Sequence, residues 1–153
     1  MHINPDHFLQ TERGRVISPE LNRRAWALSM EALRGAMKRR NEATNLYILV
    51  GAQGAGKTTW LRSNADRLGS DAAVFDAILV KKSERQPLLD IAVAHDVPVI
   101  AVWLDTPLEI CLLRNAKRPV DEIVPDRAIR NVHAAIEPPT IEEGFSSVHR
   151  VVA

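Results

Sequence analysis

"ILVGAQGAGKTTWL", residues 48–61, runs from an apolar segment into a loop with glycine at 51, 54 and 56, and then into Lys57, Thr58 and Thr59. Glycine adopts positive φ without a Cβ penalty, so this backbone is expected to curl and to turn several N–H groups inward as an anion cup. A helix beginning near Lys57 adds the positive end of its dipole and its unpaired N–H groups. Lys57 contributes a mobile positive charge, and the hydroxyl of Thr58 suits Mg²⁺.

Gly51 to Thr58 fits G-x-x-x-x-G-K-[ST], the phosphate-binding P-loop. That motif needs a strand before it and a helix after it, and "NLYILV" (45–50) and "KTTWLRSNADRLG" (57–69) read that way. The expected nucleotide cradle is therefore Gly51, Ala52, Gln53, Gly54, Ala55, Gly56, Lys57, Thr58 and Thr59, with ATP and Mg²⁺ as the cofactors.

The chain has 153 residues, 46% of them hydrophobic and 25% charged, which predicts one domain with a single large core. No apolar run approaches the length of a membrane span and no basic-then-apolar leader opens the chain, so a cytoplasmic protein without membrane contact is expected. A lone Cys111 excludes an internal disulfide and a multi-cysteine metal site. Net charge +1 argues against a surface that coats nucleic acid. The five histidines show no metal-ligand spacing and receive no role.

Outward from the loop, Ser18 and Pro19 open a long helix over 18–41, with Leu21, Ala25, Leu28, Ala32 and Ala36 as its apolar stripe, widened by Trp26, Met30, Leu33 and Met37. Beyond the loop come a buried strand at 72–77 ending in Asp76, and a helix at 81–96 with Ser83 and Gln86 as a capping box and Pro87 in its first turn. A strand at 97–105 follows, then a helix opened by Thr106, Pro107 and Glu109 as a second capping box. A loop at 118–125, a helix at 126–137 and a strand at 147–152 close the chain. Buried strands alternating with helices predict an α/β fold, a parallel sheet of P-loop NTPase type with helices on both faces.

Ligands of such sheets sit at the carboxyl ends of the strands. Asp76 falls there and is expected to hold Mg²⁺ with Thr58; the alternative is that it only caps the next turn. Asp105 also falls there and is expected to cap or orient structure. Arg114 and Arg118, four apart, share a helical face ahead of a proline-containing loop, a lid near 114–126. They can neutralise a transferring phosphoryl group, or they can pair with Asp121 and Glu122.

Together "VGAQGAGKTT", "VFDA", "VWLDTPLEICLLRNAKRP", "VP" and "EPPTIEEGF" resemble the P-loop kinases that include polynucleotide kinases and zeta-toxin-like kinases. The resemblance covers 46–152. It implies an ATP-dependent kinase acting on a hydroxyl of a nucleotide, a nucleic-acid end or another small acceptor, with Arg114 and Arg118 facing the nucleotide phosphates. A nucleotide-binding regulatory module is the competing reading. Two departures stand out. The family's D-A-T is Asp76-Ala77-Ile78 here, and only "GSD" separates the P-loop helix from the Asp76 strand, which leaves no room for the strand that usually brings the catalytic aspartate. The N-terminal "HINPDHFLQTERGRVISPELNRRAW" resembles that missing segment, as in a circular permutation. A strand-and-helix segment (1–44) then precedes a P-loop core (45–153), and Asp6 is the expected base. The alternative is that "NPD" is only an Asx-Pro turn with Asp6 in solvent.

Overall fold

The computed structural model describes residues 1–11, 14–15 and 18–152. Glu12, Arg13, Val16 and Ile17 of the N-terminal stretch quoted above lie outside the described residues.

Five parallel strands form one sheet: β1 (His2–Ile3), β4 (Leu46–Val50), β5 (Ala73–Asp76), β6 (Val99–Asp105) and β7 (Ser147–Val152), in the spatial order β1-β5-β4-β6-β7. β2 (Gln10–Thr11) pairs antiparallel with β3 (Gly14–Arg15) in a separate two-stranded sheet. β4 is the centre of the sheet. From it the chain passes through α2 (Lys57–Leu68) to β5 on one side, then through α3 (Lys82–Ala94) to β6 on the other. The strand order therefore reverses at β4, and such a switch point is where open α/β sheets bind ligands.

The period-two alternation of the strands sorts the core into two layers. Leu46, Ile48 and Val50 of β4, with Phe75, Val99 and Ala101, pack against Leu33 and Met37 of α1 (Pro19–Lys38) and Leu88, Leu89 and Ala92 of α3. On the other face Leu49, Val74, Val102 and Leu104 pack against Trp60 and Leu61 of α2, Cys111 of α4 (Leu108–Ala116) and Ile129 of α5 (Asp126–Ala135). This is the α/β fold of P-loop NTPase type expected from the sequence.

The outermost strand comes from the start of the chain. His2 pairs with Val74 and Ile3 with Phe75, the Met1 ammonium donates to Ala72 O at 2.7 Å, and Val74 N–H donates to Met1 O at 2.7 Å. Ile3 is buried in the first core layer. After it Asn4 Oδ1 accepts from Asp6 N–H at 2.9 Å and caps a 3-10 turn over Pro5–Phe8. The Asx-Pro turn is thus present, and it forms part of the cavity wall described below.

Several local expectations need correction. Ser18 does cap α1, its Oγ accepting from Leu21 N–H at 3.1 Å, but the buried seam is Ala25, Ser29, Leu33 and Met37, while Leu21 is 37% exposed. The apolar face is turned because α1 packs on both α3 and the Pro5–Phe8 turn. Ser29 tolerates burial by donating to Ala25 O at 2.8 Å. In α3 the N-cap is Lys81, whose N–H donates to Glu84 Oε1 at 3.0 Å, so the expected Ser83/Gln86 box does not form and Pro87 lies in the second turn. The Thr106/Glu109 box is also absent. Pro107 takes the N-cap of α4 because the Thr106 hydroxyl is drawn to the glycine loop.

Candidate active site

The loop 51–56 leaves β4 and turns on Gly54 (φ +80) and Gly56 (φ +105). Both are in the left-handed region that glycine tolerates. A Cβ on Gly54 would lie 2.4 Å from the backbone oxygen of Cys111, so the loop presses against α4 with no room for a side chain. Gly51 does not have the positive φ expected of it; its small size matters because a Cβ would lie 3.0 Å from Ala55 Cβ and 3.3 Å from Leu104 Cβ. Loop carbonyls are held from the α4 side. Ala55 O accepts from the Thr106 hydroxyl at 2.8 Å and from Arg114 Nη1 at 3.1 Å, and Gly54 O accepts from Arg114 Nη1 at 3.4 Å. No side chain caps the N-terminus of α2 at Gly56, which leaves the first N–H groups of a twelve-residue helix for an anion.

Lys57 Nζ donates to Gly51 O at 3.1 Å and to Ala77 O at 3.4 Å, and lies 3.8 Å from Asp76 Oδ1. Its pKa is lowered by burial first; the charges of Asp76 and Asp6 oppose that shift and Arg118 adds to it. Asp76 ends β5, buried. Burial pushes its carboxyl up, but the His2 hydrogen bond, the Lys57 charge and Asn4 outweigh that, so it titrates below its ordinary value. Its Oδ2 lies 3.2 Å from His2 Nε2 and accepts from Asn4 Nδ2 at 3.4 Å. The histidines were expected to have no role. His2 and Asn4, two apart at the N-terminal strand, instead reach Asp76 from the same side.

A cavity of about 780 Å³ is lined by these groups, within the range of small-molecule and cofactor pockets. Part of the lining is the glycine loop with Gln53, Lys57, Thr58 and Thr59, together with Arg114 and Arg118. The rest of the lining is Asn4, Pro5, Asp6 and Leu9 from the N-terminal segment, Asn22 and Trp26 of α1, and Asp76, Ala77, Ile78, Glu84 and Val124. Asp6, Asp76, Lys57, Thr58, Arg114 and Arg118 are therefore neighbours around one space. Asp105 is elsewhere: its carboxylate accepts from Arg150 Nε at 2.8 Å, and that guanidinium sits 5.3 Å from the Trp103 ring.

The residues present fit a magnesium nucleotide. Thr58 is exposed at the loop exit, Asp76 offers a carboxylate beside Lys57, and the N-terminus of α2 has no side-chain cap. Among the described residues no cluster of three or more His, Cys, Asp or Glu could hold a metal alone. Mg²⁺ would thus take most of its oxygens from phosphate and water, as it usually does. Gln53 Oε1 is buried without a hydrogen-bond partner in this loop.

Of the cavity lining, the sequence did not point to Asn4, Leu9, Asn22, Trp26 or Glu84. Asn22 and Trp26 are four apart on α1, a spacing that places them on one face, but the apolar stripe absorbed Trp26 into the core. Also missed was Arg85, fully buried, which donates from Nε to Glu143 Oε1 at 2.9 Å, from Nη2 to Glu143 Oε2 at 3.0 Å, and from Nη1 to Leu79 O and Val80 O. This clamp ties 140–143 to the loop that follows Ile78.

No helix among the described residues is long and apolar enough to cross a membrane. No curated protein matches the chain significantly. A family model described as an AAA domain, a P-loop NTPase-like family that includes kinases, matches residues 68–139. The match covers a little under half of the chain, from the end of α2 through β5, β6 and α4 to Pro139, and leaves out both the glycine loop and the N-terminal segment. Fold, glycine loop and family match agree at the level of a P-loop NTPase-type nucleotide-binding domain.

Proposed function

We propose that this chain is an ATP-dependent kinase that moves the γ-phosphoryl group to an acceptor hydroxyl. The single observation that carries the proposal is that Asp6 lines the same cavity as Lys57 and Thr58, some fifty residues away in sequence, and its charge acts on Lys57. The glycine loop and Lys57 hold the β- and γ-phosphates, and Thr58 and Asp76 hold Mg²⁺. Asp6 accepts the proton of the acceptor hydroxyl as its oxygen bonds to the γ-phosphorus. The bond from that phosphorus to the β,γ-bridging oxygen breaks, and ADP leaves. Arg114 and Arg118 neutralise charge on the group in transit.

The sheet order supports reading the N-terminal segment as a permuted one. β1 lies beside β5, where the resembling kinases have a strand inserted after the P-loop helix. Asn41 Nδ2 donates to Asp71 Oδ1 at 2.9 Å and the Met1 ammonium reaches Ala72 O, so both ends of the segment lie at the place where it is absent.

The test is transfer of γ-labelled phosphate from Mg²⁺–ATP to a panel of hydroxyl acceptors, with Lys57→Ala as control. A labelled product made by the parent protein and not by the variant supports a kinase. The second reading, an ATP-binding regulatory module, is favoured by Ile78 standing where the resembling kinases place an acceptor-side threonine. It predicts ATP binding with no labelled product from any acceptor.

A further inference from the structure

The glycine loop carries one side chain with an unusual hydrogen-bond balance. Gln53 stands between Gly51 and the turn at Gly54, and it lines the cavity. Its Oε1 is enclosed without a hydrogen-bond partner, and among the described residues no other buried side-chain nitrogen or oxygen is left so. An enclosed carbonyl oxygen without a donor lowers stability, and such exceptions are uncommon in folded proteins. The other end of the amide is the accessible one. Nε2 is neither enclosed nor hydrogen-bonded within the protein, so a cavity-lining residue keeps two N–H donors for something else.

The contacts of the loop say which part of a nucleotide those donors face. The carbonyls of Gly54 and Ala55 are engaged from α4, by Arg114 Nη1 and the Thr106 hydroxyl. Lys57 Nζ donates to Gly51 O at 3.1 Å, so its ammonium lies beside the first residue of the loop. The lysine of a P-loop reaches the β- and γ-phosphates. Gln53 is two residues on from Gly51, a span of at most about 7 Å. The terminal phosphate and Gln53 thus share one end of the loop.

We propose, resting on the kinase reading above, that the Gln53 side chain is a further catalytic residue, whose Nε2 donates to an oxygen of the γ-phosphoryl group in transit. Charge on that group is spread over its oxygens. A neutral donor fixed on the loop complements Lys57, Arg114 and Arg118, and a preorganised donor acts most strongly where charge develops. The orphaned Oε1 is the consequence of holding the amide with its amino group outward.

The experiment uses two substitutions of nearly unchanged shape. Gln53→Met removes both hydrogen-bonding ends, and Gln53→Glu keeps oxygen and loses the donors. Transfer of γ-labelled phosphate to the best acceptor and ATP affinity are measured for each. The expected result is a kcat about 10²-fold below the parent in Gln53→Met, with a smaller change in ATP affinity, and a kcat at least as low in Gln53→Glu. A parent-like kcat in Gln53→Met overturns the proposal. So does a parent-like Gln53→Glu, because the oxygen and not the amino group would then be the working end. A second readout needs no acceptor: thermal shift with Mg²⁺–ADP, alone and with aluminium fluoride as a mimic of the phosphoryl group. The extra shift given by the fluoride is expected in the parent and lost in both variants, while Gln53→Met keeps the shift given by ADP alone. An equal extra shift in Gln53→Met, or none in the parent, overturns the contact. If the parent labels no acceptor, the kinase reading falls and the thermal-shift comparison alone decides whether Gln53 touches the terminal phosphate. Folding of each variant is checked by its nucleotide-free transition, and Gln53→Leu serves if Gln53→Met fails to fold.

Discussion

Lys57 and Thr58 have the most direct consequence at the scale of single residues. Mg²⁺–ATP is expected to stabilise the parent protein by about 2.7 kcal/mol at a hundredfold excess over Kd, and a thermal-shift assay should show that gain lost in Lys57→Ala and reduced in Thr58→Ala. An equal shift in Lys57→Ala would remove the lysine from the phosphate site. Gly54→Ala tests the loop by another route. The new Cβ meets the Cys111 carbonyl and a positive φ together, so a loss of stability on the order of 2 kcal/mol or more is expected from denaturant unfolding. Asp76 links the site to pH. Its folded pKa lies below the ordinary value of 3.8, so protons favour the unfolded chain in the acid range. The stabilisation from its ionised form is therefore complete above about pH 4 and is lost as pH falls through the folded pKa. Unfolding measured against pH should show Asp76→Asn with a flatter acid limb than the parent. Two identical limbs would contradict the contacts with His2 and Lys57. These residues were legible to different degrees. The glycine loop announces itself because backbone curvature and phosphate binding restrict residue type at each step. His2 and Asn4 did not, because their part depends on a neighbouring strand seventy residues away in sequence.

Among the elements, α4 carries Arg114 in its last turn, while Arg118 lies beyond its Lys117 C-cap, so the two do not share the helical face that their spacing suggests. Arg114 already holds Gly54 O and Ala55 O, and both arginines line the cavity. Arg114→Ala and Arg118→Ala should each lower kcat by about 10²-fold with a smaller effect on ATP affinity, since charge on the phosphoryl group is best matched in the transition state. Steady-state kinetics with the best acceptor separates the two effects. A change in affinity alone would make them binding residues. The Arg85–Glu143 clamp is structural by contrast. Breaking a buried pair leaves a charge without its partner, so Glu143→Gln should cost about 3–5 kcal/mol in denaturant unfolding. Strand and helix existence was legible from periodicity because burial on a parallel sheet selects long apolar runs. Helix starts were less so. Ser83 and Thr106 have the side chains of caps, yet tertiary contacts set the true starts: the buried Arg85 clamp near the first turn of α3, and Ala55 O, which takes the Thr106 hydroxyl.

For the whole molecule, the N-terminal segment precedes the glycine loop in sequence and lies beside β5 in space. That position was inferable by subtraction, since "GSD" is too short for a strand and helix. The rest of the cavity lining was not, because Asn4 to Leu9, Asn22 with Trp26, and Ile78 with Glu84 come from separate stretches of chain. A rearranged chain reading 44–70, then 1–41, then 72–153 should fold and keep Mg²⁺–ATP stabilisation close to that of the parent, because Met1 and Asn41 already meet residues 71–72. The most direct test of the central claim compares the parent with Asp6→Asn, which keeps the side-chain shape and removes its charge. Mg²⁺–ATP binding by thermal shift and γ-phosphoryl transfer to the best acceptor are measured on the same preparations. The account predicts unchanged ATP binding and transfer reduced by about 10²–10⁴-fold; transfer at the parent rate would contradict it.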